Sequence, residues 1–339
     1  MKGKAVIVAR LLENTGLNRL KRAVLHQYLI VLNYHRITPD VRSFVSDFDD
    51  NVFGPTVSNF RHQMAFLKEN AHIISIDDLK DISINGQKPS RPSVLITFDD
   101  GYKDNYTLAL PILKEYRIPA LFFIPTRNLI ERRVGWWDEI SYIIKRAKAG
   151  IISLGEPLNR DVVIGEDRHK VKSELMYMMK TTPFLNLDEL IDTMAAATGI
   201  DRPSLKEQNA ELMTLQELRE MIKLGMKIGS HTHSHHILAN IDEDSQYQEL
   251  SYSKEILEKE LGVGVSAISY PVGRHDSFNN QTKWLAKQAG YEFGFSFYAG
   301  FNKLHGLDFY DIRRVSPATN NLQFLSALIS FPGIFSSLW

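Results

Sequence analysis

Two short segments carry residue types that can do chemistry together. Leu95-Ile96-Thr97-Phe98-Asp99-Asp100-Gly101 is an apolar run that stops at two adjacent carboxylates and a glycine. Adjacent carboxylates repel, and such a pair is stable chiefly when a cation or an arginine neutralises it. Asp-Gly is also a common turn dipeptide, so this pair alone fits a plain strand-end turn. The second segment, Gly229-Ser230-His231-Thr232-His233-Ser234-His235-His236, holds four of the chain's eleven histidines. Histidines four apart can meet one metal ion across a helical turn or a compact loop. Two imidazoles with one carboxylate form a common catalytic ligand set that leaves positions open for water and substrate. A polar, His-rich surface loop is the alternative. Such loops seldom coincide with a strand-end Asp-Asp, and the two segments together point to a divalent-metal site.

Both segments need strands that deliver them to one crevice. Parallel α/β sheets do this, because the carboxyl ends of their strands face the ligand site. Short β-branched or apolar runs alternate here with amphipathic stretches. Strands are expected at Tyr28–Asn33, Val94–Phe98, Ala120–Ile124, Lys227–Gly229, Ala267–Tyr270, Phe293–Phe297 and Phe309–Arg313. Helical periodicity appears around Phe60, Met64 and Leu67, and around Leu250, Ile256 and Leu261. Thr214 with Glu217 makes a capping box for a helix through Leu224. Between about 131 and 213 the alternation fails and helix and loop signals dominate. The reading is an α/β fold, a deformed seven-stranded (β/α) barrel over 28–324 with a mostly helical insertion at 131–213. A helical extension, 1–27, precedes it and an apolar tail, 325–339, follows it.

Composition narrows the function. The 40 basic and 40 acidic residues cancel, which argues against a broad electrostatic grip on nucleic acid. Cysteine is absent, so any metal must be held by nitrogen and oxygen ligands. No stretch approaches the roughly 18 apolar residues of a spanning helix. The amino terminus lacks a clear secretory signal, because Arg10 ends its apolar run, and a cytoplasmic location is expected. The tail LSALISFPGIFSSLW is read first as packing on the domain, with docking on a partner or peripheral membrane contact as alternatives.

At these residues the chain resembles the polysaccharide deacetylase (NodB-homology) superfamily, carbohydrate esterase family four. The family's Thr-Phe-Asp-Asp-Gly stands at Thr97–Gly101, and its His-Ser/Thr-x-x-His stands at His231–His235. The resemblance implies that Asp100, His231 and His235 bind a divalent metal and that Asp99 is the general base. Zinc leads among the metals implied, with cobalt, nickel and iron also accepting this ligand type. His233 falls on a variable position, and His236 replaces the proline that often follows, leaving His236 as a fallback ligand for His235. The third family motif, Arg-x-Pro-Tyr/Phe-Gly, stands as Ser269-Tyr270-Pro271-Val272-Gly273 and lacks its arginine. Val272 occupies the position whose N–H forms the oxyanion hole, a role that tolerates a changed side chain.

The arginine that steadies the catalytic aspartate is assigned to Arg314, which resembles that of a Leu-x-Arg element in one branch. An exposed basic pair, Arg313-Arg314, is the alternative reading. A carboxyl-terminal Leu-x-His is poorly matched by Leu304-His305. Val31-Leu32-Asn33-Tyr34-His35-Arg36 instead resembles the circularly permuted branch containing poly-N-acetylglucosamine deacetylases. By that resemblance a protonated His35 is the acid for the departing amine, against a structural strand-end histidine. Further family matches are Phe60-x-x-x-Met64 with Leu67, Pro111-Ile112-Leu113 and Trp136-Trp137-Asp138. Trp136 and Trp137 are candidate sugar-stacking platforms, with core packing as the alternative, and Tyr102, Tyr270 and Tyr298 are weaker candidates. The implied reaction is hydrolysis of an N-acetyl group on an amino-sugar polysaccharide or glycan precursor. Rivals are a hydrolase of a non-sugar amide or ester and a catalytically silent carbohydrate-binding protein.

Overall fold

The computed structural model describes residues 2–24, 27–84, 89–298, 300–317 and 321–336. Residues 1 and 25–26 of the expected extension and the last three of the apolar tail lie outside the described residues. The fold is α/β, built on a curled sheet with seven strands along its hydrogen-bonded path. In order across the sheet these are Phe293–Phe295, Ala267–Ser269, Lys227–Ser230, Leu121–Ile124, Ser93–Phe98, Tyr28–Tyr34 and Asn302–Lys303. Neighbours pair in parallel except Asn302–Lys303. Two short strands, His72–Ile73 and Arg314–Val315, attach to Ser93–Phe98 and Tyr28–Tyr34.

Period-two geometry sorts the strand residues into two buried faces. Leu29, Val31, Leu95, Leu121, Phe123 and Phe295 share the inner cluster. Ile30, Leu32, Tyr34, Val94, Ile96 and Phe98 face the helical layer with Phe60, Met64 and Leu67. Burial on both faces explains why these strands read as continuous apolar runs. The same parity carries the inner row upward from Leu29 and Val31 to Asn33, and from Leu95 to Thr97 and Asp99. The inner face therefore turns polar at the carboxyl ends of the strands.

Helices supply the outer layer and carry their own start and stop signals. Val57–Asn70 begins at Thr56, whose hydroxyl accepts from the Asn59 N–H. Leu215–Lys223 opens with the reciprocal Thr214/Glu217 box. Glu243–Leu261 starts at Asp242 and stops at left-handed Gly262.

Three places depart from the sequence expectation. The late strand lies at Arg314–Val315, not Phe309–Arg313. Phe309 and Tyr310 form a turn, and only Ile312 bridges to Phe295 before the chain joins Val31 and Leu32. The region 131–213 is mostly helical but includes a hairpin, Gly150–Leu154 with Arg160–Ile164. Its cross-strand partners Ile151 and Val163 are exposed apolar residues, which hid the alternation. With helices Trp136–Arg146, Arg168–Thr181 and Leu187–Thr198, this region builds a separate apolar cluster. At the carboxyl end, helix Leu322–Ser330 crosses the expected boundary at 324/325. Phe324, Leu325, Ala327, Leu328 and Ile329 are all buried in the outer core, whereas Ile334 further along the tail is exposed. No helix of the described residues is long and apolar enough to cross a membrane.

Candidate metal and hydrolytic site

The polar ends of the inner rows meet in a cavity of about 570 Å³, a volume typical of small-ligand sites. Asp99 and Asp100 follow strand Ser93–Phe98, His231 follows Lys227–Ser230, and His35 follows Tyr28–Tyr34. Asp99 extends the ladder, its N–H donating to the Tyr34 carbonyl at 3.0 Å. Asp100 then turns into the left-handed region at φ 73°, and both carboxylates approach His231 Nε2, Asp99 Oδ2 at 3.8 Å and Asp100 Oδ1 at 3.5 Å. His235, Thr232 and Val272 also have positive φ, at 57°, 63° and 62°. Such conformations cost roughly 1–3 kcal/mol each outside glycine, so the surrounding structure must over-determine them. Gly273, at φ 64°, is required: a Cβ there would stand 2.5 Å from the Phe297 nitrogen.

Asp100, His231 and His235 are buried and present ligand atoms that all lie within 4.8 Å of one another. Asp100 Oδ1 is 3.5 Å from His231 Nε2 and 3.7 Å from His235 Nε2, and the two nitrogens are 3.2 Å apart. Those spacings approach the edge of about 3.3–3.6 Å set by tetrahedral metal–ligand bonds of roughly 2.0–2.2 Å. Asp100 Oδ1 is buried without a hydrogen-bond partner, which is costly for a carboxylate unless a cation satisfies it. Its carboxyl is pushed well above the ordinary range, first by burial and then by Asp99 and Asp138. Both imidazoles are pushed down, foremost by burial, and so stay neutral as metal ligation requires. His231 Nδ1 stands 2.7 Å from the Ser269 carbonyl, which can only accept, so Nδ1 carries the proton and Nε2 faces the cluster. The donor set fits a small divalent cation.

Asp99 is held differently. Arg314 grips it in a fork, Nη1 to Oδ1 at 2.7 Å and Nη2 to Oδ2 at 2.9 Å. The other guanidinium donors reach Asn33 Oδ1, Ser269 Oγ and the Ser296 carbonyl, so all five are used. Burial favours the neutral acid, but Arg314 and then His231 outweigh it and hold Asp99 below the usual carboxylate range. Arg314 opens its strand beside Val31 and its guanidinium reaches Asn33 and Asp99, whereas Arg313 packs over Tyr298. Asn33 Nδ2 adds a 3.1 Å bond to Asp99 Oδ2. Asn33 and Ser269 received no role from sequence reasoning. A polar residue at inward parity in the apolar strand YLIVLNY was the available signal for Asn33.

His35 Nε2 is 4.0 Å from Asp99 Oδ2, with its side chain 27% exposed to the cavity. Burial pushes its pKa down to about 4 despite the opposing pull of Asp99. Burial thus favours the neutral imidazole in the resting site. Val272 lines the cavity. His236 and His233 do not enter it. They line a neighbouring cavity, where His233 meets Thr126 Oγ1 and the Tyr252 ring.

The aromatic candidates separate. Tyr102 is 1% exposed, does not line the cavity, and donates from its hydroxyl to Asp138. Positive φ at Asp100 and Gly101 has already turned the chain away from the crevice. Tyr270 backs the cavity but is fully buried, stacked on Phe278 and donating to the Tyr310 carbonyl. Tyr298 bonds Asp311 and is not a lining residue. Trp136 and Trp137 line the cavity but are only 8% and 6% exposed and belong to the second apolar cluster. Trp137 donates to the Tyr102 hydroxyl, and its ring packs 4.3 Å from that of His235. The exposed lining instead includes Tyr177, Lys180 and Arg274, which no local sequence pattern marked.

Comparison with known proteins agrees with this geometry. YxkH of Bacillus subtilis is 24% identical over 236 residues, covering 69% of this chain and 56% of that protein. The chain thus spans little more than half the length of that relative. Poly-beta-1,6-N-acetyl-D-glucosamine N-deacetylase of Staphylococcus aureus strain MRSA252 is 24% identical over 283 residues, covering 79% of this chain and 71% of that protein. The structure of the Streptococcus pyogenes deacetylase PplD in complex with acetate matches with a TM-score of 0.56 at 20% identity. It covers 87% of this chain and 95% of the other, a likeness of fold. The model of the polysaccharide deacetylase family matches residues 86–154 and 176–294, more than half of the sequence, and the chain belongs to that family.

Proposed function

We propose that the protein hydrolyses N-acetyl groups on an amino-sugar polysaccharide or glycan precursor, using a divalent metal held by Asp100, His231 and His235. The observation that carries this reading is the pairing of two unlike carboxylates on one strand end. Asp100 is unpaired and converges with two imidazoles, while Asp99 is ionised and fixed by Arg314. When bound, the metal supplies Lewis-acid polarisation of the acetamide carbonyl and acidifies the attacking water.

The chain's own residues do the rest. Asp99 takes the water proton, its orientation fixed by Arg314 and Asn33. The Val272 N–H, at the cavity wall, donates to the oxygen of the tetrahedral intermediate. His35 is neutral at rest, so it gains its proton during the reaction from Asp99, 4.0 Å away, and passes it to the departing nitrogen. The C–N bond breaks with that transfer, giving acetate and the free amine. The set of ligands is compatible with zinc first, and with cobalt, nickel or iron.

The test is acetate release from N-acetylglucosamine oligomers, measured with chelator and after metal add-back. Activity should vanish with chelator and return with metal. Asp99→Asn should lose on the order of 10²–10⁴-fold in turnover while retaining its metal by elemental analysis. Turnover near the wild-type rate in that variant would sink the assignment.

A further inference from the structure

We propose that the cavity wall supplied by helix Arg168–Thr181 selects a glycan with an anionic group, a carboxylate or a phosphate, near the N-acetylated sugar. Tyr177 stacks on a sugar ring in this arrangement, and Lys180 with Arg274 receives the anionic group. The inference rests on the deacetylase reading and specifies its substrate class.

The helix presents Ser173, Met176, Tyr177 and Lys180 to the cavity, the i, i+3, i+4, i+7 spacing of one helical face. Its opposite face, with Val171, Leu175, Met178 and Met179, is locked into the second apolar cluster. The end of the helix is pinned as well, since Asn240 Nδ2 donates to the Lys180 carbonyl at 3.1 Å. The wall is thus a fixed surface. Tyr177 is 69% exposed, unlike the tryptophans, and pyranose C–H faces pack on such rings.

Lys180 differs from the other charged groups of the cavity. Three carboxylates line the cavity. Asp49 is neutralised by buried Lys172 at 2.6 Å, Asp99 by Arg314, and Asp100 belongs to the metal cluster. Among the described residues no acidic side chain pairs with Lys180, although it lies on the same helix as Lys172. Burial, foremost, lowers its pKa, with Asp49 pulling it up, Arg274 pushing it down and Asp100 adding a smaller upward pull. Among the described residues Arg274, on the loop after Pro271, has its one ion pair with Asp276 at 3.4 Å, both side chains being about two-thirds exposed. Such exposed pairs are worth little and are readily exchanged for a ligand anion. Lys180 and Arg274 therefore remain at the rim once Asp49 and Asp99 are paired and Asp100 is assigned to the metal. A divalent ion in the site adds to that surplus, which a neutral glycan leaves unmet.

The experiment is binding to the metal-loaded Asp99→Asn protein, which prevents turnover, measured by calorimetry. The probes are three oligosaccharides of equal length: neutral N-acetylglucosamine, one bearing carboxylates and one bearing phosphate groups. Either anionic probe should bind roughly 5-fold tighter or more than the neutral one, with the preference shrinking at high salt. The better anionic probe identifies the source of the charge. Adding Lys180→Gln and Arg274→Gln should bring anionic and neutral affinities together. Equal binding of all three probes, no binding of any, or a preference untouched by the double substitution would each overturn the inference. Charge-selective binding without acetate release from any probe by wild-type protein would instead fail the deacetylase reading alone.

Discussion

The barrel mouth and the insertion wall face the same cavity but are built on opposite plans. At the mouth each charged group has a fixed geometry. Arg314 uses all five donors, Asp99 accepts at both oxygens, and left-handed backbone at Asp100, His235 and Val272 fixes directions that free rotamers would not. At the wall, Tyr177 and Lys180 stand on a packed helix, and among the described residues neither side chain has an ion pair or hydrogen bond. The difference separates two demands. Bond cleavage needs dipoles already aimed at developing charge, because reorganising them would raise the barrel's barrier to reaction. Recognition needs surface area and charge that partner only when substrate arrives. Each plan also rests on its own core, joined where Trp137 packs on His235 and Asp138 accepts from Tyr102 and from the Asp49 N–H.

The strongest way to break this contrast is Arg314→Met. It removes the fork from a buried carboxylate, and breaking such a pair typically costs about 3–5 kcal/mol. Burial, no longer opposed by Arg314, would then raise Asp99. Stability in urea should fall by that amount, and acetate release by on the order of 10²-fold or more if Asp99 loses its base role. Arg314→Lys should recover part of the stability but not the two-pronged orientation. A Met variant as mild as a wall substitution would show that the mouth is not pre-organised.

A smaller effect tests the seam between the cores. Asp138 is fully buried and pushed up to about 7, first by desolvation, with Arg36 and the bonds from Asp49 and Tyr102 opposing. Unfolded, its pKa is about 3.9. Between those values the unfolded chain releases a proton that the folded protein keeps. Its contribution is therefore complete below about pH 4 and is lost as pH rises towards 7, at up to about 1.4 kcal/mol per pH unit. Urea midpoints from pH 4.5 to 7.5 should fall with a slope that Asp138→Asn removes. An unchanged slope in the variant would assign the pH dependence elsewhere.

How much of this was legible follows from parity and burial. Strands buried on both faces, such as Ser93–Phe98, read as apolar runs, and their polar terminal residues mark the crevice. That is why Asp99, Asp100, His231 and His35 were visible from sequence. The insertion hairpin was hidden by exposed Ile151 and Val163, which break the polar half of the alternation. Tyr102 was misplaced because a left-handed turn at Asp100 and Gly101 reverses direction within two residues, and periodicity cannot follow it. Tyr177 and Lys180 were invisible for another reason. Their helix is amphipathic towards the second core, and only tertiary docking brings its polar face to the cavity.

The finest discrimination concerns which aromatic side chain meets the sugar. Trp136 and Trp137 were the sequence candidates, yet their rings are largely core, whereas Tyr177 offers an open face. Tyr177→Ala touches little in the free protein, so its stability should stay within about 0.5 kcal/mol of wild type. Lost stacking of about 0.5–1.5 kcal/mol should raise KM for glycan oligomers about 2-fold to 10-fold, with kcat retained because the mouth is untouched. Trp136→Ala should register first in the urea midpoint, as removal of a core side chain. The opposite pattern, with KM responding to Trp136 at unchanged stability and indifferent to Tyr177, would return sugar recognition to the barrel rim. It would also dissolve the division between a mouth that reacts and a wall that recognises.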